Sequence, residues 1–526
     1  MALSAGTVAA QDLRLVSAVQ QQDPAGIDQF LDEGVDVNVR RADGATALLW
    51  AAHWNDHTTA TRLLDAGANP NAAEDQGVTP LGRAAENTSL EMVSRLLDAG
   101  ADPNQAQANG LTPLIIAAGT GHGEVIDALL AAGTDVNART GETGQTPLMW
   151  ATANQHHPVM RTLLAAGANV EAQSELGFTP LLFAVRNDDL HGARMLLEAG
   201  ADVNHPGSDS THALALAVVS GHTRFVDFLL DQGADPNSTM HGVSALHAAA
   251  GSIDVWIRDW LRTRYAGVGL GGRQTVGLPA SDRLGVVRTL LDAGADPNSR
   301  IEVFTTMEAW VSGKNGARDG QAIGTGDLTG ATPLWVAAFR ANRESLMYIN
   351  NGRLPPPEVA LREMPEEALI VEALLEAGTD PTLATADGTS PLMVAAGLGH
   401  STFVRADESL PSASAEAAVR MLIEAGADVN RRNEADFTPL HGAAFRGLTA
   451  VAEYLIEQGA KIDAMDFRQR TALSIAQGTQ QGFYVQEWPG LAVRLIELGA
   501  DPEAGLGGRD VERDLSRRRT EGNDQP

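Results

Sequence analysis

Apolar positions in this chain come in short paired blocks, and the stretch from Thr112 to Asn137 shows the pattern. Leu114, Ala117 and Ala118 recur at helical spacing in the first block; Val125, Ile126, Leu129 and Leu130 do so in the second. Thr112 followed by Pro113 predicts the start of the first helix. The hydroxyl caps free backbone N–H groups, and proline sits in the first turn, where its missing N–H costs nothing. Gly121-His122 is the turn between the helices, and the small alanines let them approach closely. Gly133 is placed to end the second helix in a left-handed cap, and Asp135-Val-Asn137 then turns the chain into an extended finger.

This unit recurs along the chain. The capping position is occupied by Thr46, Thr79, Thr112, Thr146, Thr179, His212, Ser244, Thr332, Ser390, Thr438 and Thr471, with first steps of 33, 33, 34, 33, 33 and 32 residues and a last step of 33. The closing phrase recurs as Leu64-Asp-Ala-Gly-Ala-Asn-Pro-Asn71, Leu97-Asp-Ala-Gly-Ala-Asp-Pro-Asn104 and so on to Ile496-Glu-Leu-Gly-Ala-Asp-Pro-Glu503. Self-similarity at a fixed period means a stacked array in which each unit buries its apolar side on its neighbours. A unit of this length with Thr-Pro-Leu, Ala-Ala, Gly-His and Gly-Ala-Asp-x-Asn resembles the ankyrin repeat. The resemblance runs from about Gln11 to Glu503. It implies an all-α solenoid of helix-turn-helix units with β-turn fingers. One departure is evident. The histidine that usually follows Thr-Pro-Leu is present only as His441 and, after Ser-Ala-Leu, as His247. Ile115, Met149, Leu182, Trp335 and Met393 replace it elsewhere, so apolar packing is expected in place of the inter-repeat hydrogen bonds that the family's histidine makes.

The period defines the expected organisation: an N-terminal segment 1–10, a capping repeat 11–38, regular repeats 39–250, repeats with long insertions 251–415, C-terminal repeats and cap 416–504, and a disordered tail 505–526. The cap lacks Thr-Pro-Leu and carries Gln11, Arg14, Gln20, Gln21 and Gln22, as the open end of a solenoid requires. Steps of 88, 58 and 48 residues after Ser244 mark insertions rather than lost repeats, because repeat phrases persist within them. One is read from Gly251 to Asp282, between two helices of a repeat, and a second from Ser299 to Gly330, in a finger. Smaller ones are read at Asn351–Glu367, Ser401–Ala415 and Gly478–Gly490.

Charge narrows the partner. With 38 basic and 67 acidic residues among 526, the chain carries −29 at pH 7. That argues against nucleic-acid binding, which needs Lys and Arg clusters, and is compatible either with a basic protein partner or with a solvated, self-repelling surface. No apolar run reaches the length of a membrane span. The absence of cysteine removes disulfides, thiolate metal sites and thiol nucleophiles. Lysine occurs only at Lys314 and Lys461; with abundant Ala and Gly, that bias points to a GC-rich bacterial genome. Val8 and Ala10 have the spacing of a signal-peptidase site without the basic and apolar regions before it, so 1–10 is read as the tail of a signal peptide. The chain as written is then cytoplasmic, and periplasmic or secreted if that reading holds.

No catalytic, cofactor or metal site emerges. Gly267-Val-Gly-Leu-Gly-Gly272 has dinucleotide-loop spacing but lacks the strand, helix and acidic residue that the mechanism needs. His53 and His57 straddle a turn between two helices, so their spacing does not assure a shared helical face. The expected function is a non-enzymatic, monomeric protein-binding scaffold; the alternatives are an accessory factor for an exported enzyme, a secreted effector, or an enzyme whose site lies in 251–330. The resemblance places partner contacts on the concave side. Carried over to this sequence, these are Trp54, Asn87, Arg186, Asn187, Phe339, Arg340, Phe445 and Arg446 after the helix alanines, and Phe178 on a finger. Exposed aromatics beside arginine would be the contact residues. Trp256 and Trp260, in an Arg-rich insert segment, read either as a hot spot or as an anchor onto the array, and Phe304 and Trp310 read the same two ways.

Overall fold

The chain was analysed as a computed structural model, which describes residues 12–251, 253, 256, 277–305, 327–342, 365–399, 413–481 and 484–505, without the side chains of 365–366 and 479–486. The segment 1–10, Trp260, Trp310 and the tail from 506 lie outside the described residues.

Capping dictates where the helices begin. The side-chain oxygens of Thr46, Thr79, Thr112, Thr146, Thr179, Ser244, Thr332, Ser390 and Thr471 accept the backbone N–H three residues on, at 3.0–3.4 Å, and all nine residues are buried. Such a cap stabilises by about 1 kcal/mol. At the other end, Gly67 shows how the second helix of a pair stops. Its φ of +88° is a backbone shape that other residues resist, and in it the Gly67 and Ala68 N–H groups close on Leu64 and Leu63.

Two compact units result, 1–209 and 210–526. The first contains the helix pairs α1 (Arg14–Gln20) and α2 (Pro24–Asp32), α3 (Ala47–His53) and α4 (His57–Asp65), α5 (Pro80–Glu86) and α6 (Leu90–Asp98), α7 (Pro113–Thr120) and α8 (Gly123–Ala131), α9 (Pro147–Ala153) and α10 (His157–Ala165), and α11 (Pro180–Arg186) and α12 (Leu190–Glu198). The second contains α13 (Ala213–Ser220) and α14 (Thr223–Asp231), α15 (Ala245–Ala250) and α16 (Ala280–Asp292), α17 (Pro333–Arg340) and α18 (Pro365–Glu376), α19 (Pro391–Ala395) and α20 (Ala413–Glu424), α21 (Pro439–Arg446) and α22 (Thr449–Glu457), and α23 (Ala472–Ala476) and α24 (Pro489–Glu497). Within each unit, odd-numbered helices pack on odd-numbered neighbours to form an inner layer. Even-numbered helices form the outer layer. The core is the seam between layers, filled by Leu114, Ala117, Val125, Ile126, Leu129 and their equivalents.

Short strand pairs vary the helical plan. β1 (Thr239–Met240) and β2 (Val243–Ser244) close one finger, and β3 (Thr479–Gln481) pairs antiparallel with β4 (Tyr484–Gln486) between the last two helices. The span 478–490, read as a plain insertion, therefore holds a hairpin. Helix α16 starts at Ala280, so the insert read as ending at Asp282 stops short of it. Helices α18 and α20 likewise begin at Pro365 and Ala413, inside the spans read as insertions. The finger insert is tied at its base by Ile301 to Ala331, Gly330 to Ile301 and Leu328 to Thr305 backbone bonds of 2.8–2.9 Å.

Candidate functional site: the inner face of the first unit

Counted from the capping residue, positions four, seven and eight of each inner helix lie on one face, because 3.6 residues make a turn. In the first unit most of this face is open, with Phe183 its buried member. His53 and Trp54, Glu86 and Asn87, and Asn154 are exposed, while Trp50, Arg83, Ile116, Gly119, Thr120, Trp150, Ala153 and Arg186 are partly exposed. In the last four repeats of the second unit the same positions are closed: Val336, Phe339 and Arg340, Val394, Gly397 and Leu398, Gly442, Phe445 and Arg446, and Ile475 and Gly478 are all buried.

The expectation of exposed aromatics beside arginine is therefore corrected residue by residue. Trp54 is 43% exposed, but Phe178, Phe339 and Phe445 are buried at 5%, 3% and 3%. Phe178 packs on Phe183 at 5.5 Å, with the Arg186 guanidinium 5.7 Å and 4.9 Å from the two ring centroids. Phe339 stacks on Trp335, and Phe445 meets Phe437 at 5.4 Å. Arg340 and Arg446 are buried too; a Cβ added at Gly251 would sit 2.7 Å from the Arg340 chain and one at Gly397 2.6 Å from the Arg446 chain. These arginines fill the array rather than face solvent. Trp256 is buried at 4%, which corrects any view of it as an exposed hot spot; Phe304 is 60% exposed.

Asn87 and Asn187 are placed on the inner face as expected, with their donors already engaged. The Asn87 amide donates to the Ala52 and His53 carbonyls at 2.9 and 2.8 Å, and that of Asn187 to Ala153 at 2.9 Å. Each thus caps the inner helix of the preceding repeat.

Trp50 was not singled out from the sequence. It lies four residues before Trp54 and stacks with it, ring centroids 6.3 Å apart and planes 27° from parallel, while His53 sits edge-on to both. The signal was available: residues four apart share a helical face, so placing Trp54 on the inner face places Trp50 there as well. The Arg41 guanidinium lies 6.0 Å from the Trp50 ring and 3.7 Å from Asp43.

Two side-chain interactions hold the array together, the first of them hidden in the sequence. The last Asn of the repeated phrase bridges to the next repeat: Asn71 donates to the Gly100 carbonyl at 3.0 Å and accepts the Asp102 N–H at 2.6 Å. Asn38, Asn104, Asn137, Asn237 and Asn430 make the same pair of bonds. The histidine position also bridges. His247 Nε2 donates to the Ala331 carbonyl at 2.9 Å and His441 Nε2 to the Arg470 carbonyl at 3.1 Å, while each Nδ1 accepts from the capping hydroxyl at 2.7 and 2.8 Å. Burial pushes both imidazoles down to about 4. Opposing it are Ala331 and Asp296 at His247, and Asp466 and the Arg470 carbonyl at His441; the Arg470 and Arg432 charges add to the lowering at His441. At Trp335 the replacement of the bond by apolar packing does not hold. Its indole N–H donates to the Thr389 carbonyl at 3.0 Å, so the bond is remade by another donor.

The histidine motifs prove local. His53 ends α3 and His57 begins α4. His157 Nε2 lies 2.8 Å from Asp189, which is itself committed to capping α12. Among the described residues, no group of three or more His, Asp or Glu is placed to hold a metal.

These features define a helical-repeat protein whose first unit has an accessible inner face. The chain belongs to the ankyrin repeat family: one family model of three-copy ankyrin repeats matches residues 15–107, 84–174, 114–207 and 181–268, and a second ankyrin model matches 409–456, together more than half of the chain. Among curated proteins it is similar to human ankyrin repeat and SOCS box protein 16 (31% identity over 26% of this chain and 37% of that protein) and to human protein fem-1 homolog A (34% over 18% and 15%). It is also similar to human protein phosphatase 1 regulatory subunit 27, with 48% identity over 9% of this chain and 30% of that protein. The chain thus covers well under half the length of these relatives.

Proposed function

We propose that the chain is a non-enzymatic scaffold that recognises a protein partner through the inner face of its first unit. The observation that carries this reading is the contrast in burial at equivalent positions: four residues after the cap, Trp50, Ile116 and Trp150 remain accessible where Val336, Val394 and Ile475 do not. Repeats preorganise such a face, so little conformational entropy is lost on binding. The insertions around the seventh to ninth repeats add specificity in this reading, from segments that lie mostly outside the described residues. One relative is named as a regulatory subunit of a phosphatase, which favours an accessory role beside an enzyme as the second reading.

The test is affinity capture from native cells with the unmodified chain, a Trp54→Ala/Arg186→Ala variant and a variant lacking 257–276. The reading expects a partner that is lost or weakened at least tenfold with the double variant and reduced by the deletion. Equal recovery with the double variant would refute the inner face as the contact. Equal recovery after the deletion would remove the insertion's role alone.

A further inference from the structure

An exposed aromatic surface lies at the N-terminal end of the inner face of a unit whose net charge is negative. We infer that the Trp50–Trp54 stack is a docking shelf for a cationic side chain, arginine in the first place, from an otherwise basic protein segment. The inference rests on the scaffold reading and names the chemistry of its partner.

Three observations converge. First, Trp54 is the most exposed tryptophan among the described residues, and it is held: Trp50 stacks against it, His53 packs edge-on, and the Asn87 amide ties down the helix end beneath it. A held, solvent-facing indole loses little entropy when a partner stacks on it. Second, the chain already lays a guanidinium against this stack, that of Arg41 beside Trp50. The ring quadrupole that attracts Arg41 is equally present on Trp54. Third, the surrounding charge selects a cation. Residues 1–209 contain 10 arginines, no lysine and 26 carboxylates, a formal −16. Six of those arginines, Arg14, Arg41, Arg62, Arg83, Arg95 and Arg139, are already paired with carboxylates, so the excess faces a partner as negative potential. An anionic or phosphate-bearing ligand is repelled, and a neutral aromatic one gains nothing from the field. A guanidinium gains from both.

The experiment is calorimetric titration of the full chain with an N-acetylated, C-amidated nonapeptide carrying three arginines separated by Gly-Ser pairs. The control is the same peptide with citrulline, the neutral planar isostere, at each arginine. Binding of the arginine peptide is expected, weakened about tenfold by Trp54→Ala, largely retained in Trp54→Phe, and at least tenfold weaker for the citrulline peptide. Binding that Trp54→Ala leaves unchanged would show only diffuse attraction to the acidic surface and overturn the shelf. Equal binding of the citrulline peptide would show an apolar site and overturn the cationic partner. The arginine peptide should also displace a partner captured from cells. Capture that it fails to displace refutes this inference and leaves the scaffold standing, whereas the scaffold itself fails if inner-face substitutions do not alter capture.

Discussion

His247 and His441 show how far one side chain can couple the array to its solvent. Both are fully buried, and both bridge to the carbonyl just before the next capping residue. Their pKa values are lowered from 6.5 to about 4 in the fold, so the unfolded chain takes up a proton first as pH falls. The stability they support is complete above about pH 6.5 and is lost progressively as pH falls toward 4, by up to about 1.4 kcal/mol per pH unit for each histidine. The urea midpoint should therefore drop between pH 7.5 and 5.0, and drop less over that range in the His247→Gln/His441→Gln variant, which has nothing to protonate there. A second pair of substitutions separates backbone strain from crowding. Gly67 and Gly447 both have positive φ, +88° and +67°, but a Cβ at Gly67 meets nothing, whereas one at Gly447 would lie 2.4–2.8 Å from the Trp488 ring. Gly67→Ala should cost about 1 kcal/mol and Gly447→Ala at least about 2 kcal/mol more, read from chemical denaturation. Equal losses would mean that the Trp488 contact yields freely.

At the scale of elements, the repeat phrase and its Thr-Pro-Leu partner made the fold legible. A buried cap, a proline in the first turn, an Ala-Ala close approach and a glycine stop each follow from a residue type at a position. What was not legible is the asparagine bonding that crosses from one repeat to the next. Asn71 reads as a turn residue in sequence, yet its side chain bonds the Gly100 carbonyl and the Asp102 N–H of the following repeat. Asn71→Ala removes both bonds and should cost about 1–3 kcal/mol, with Asn71→Asp less damaging because it keeps the acceptor; urea unfolding of the variants checks this. The site residues divide for a related reason. The resemblance gave Trp54, Asn87, Arg186 and Asn187, which are at least partly exposed, together with Phe339, Arg340, Phe445 and Arg446, which are buried, because sequence reveals which face a residue occupies but not whether that face is closed. In the second unit Trp488 is buried, its indole bonded to the Phe445 carbonyl, a contact between residues 43 apart with no periodic signature.

For the molecule as a whole, the ankyrin family accounts for how the chain is built, and the inner face closes along it, beginning at Phe183 and Leu216 before the regular period is lost after Ser244. Five regular repeats and a cap leave most of the face of the first unit accessible, in a unit with an acidic excess. The last four repeats bury the equivalent positions, so residues at the places that the resemblance gives to partner contact are core there. The most direct test places a photoreactive phenylalanine analogue at single positions of the full chain expressed in native cells. Inner-face positions 54, 116 and 154 are compared with outer-helix positions 91 and 194, all in the first unit. A partner protein cross-linked from 54, 116 and 154 but not from 91 and 194 is the result expected. Cross-links arising only from the outer positions, or from none of the five while a partner still co-purifies, would contradict the inner face of the first unit as the surface of recognition.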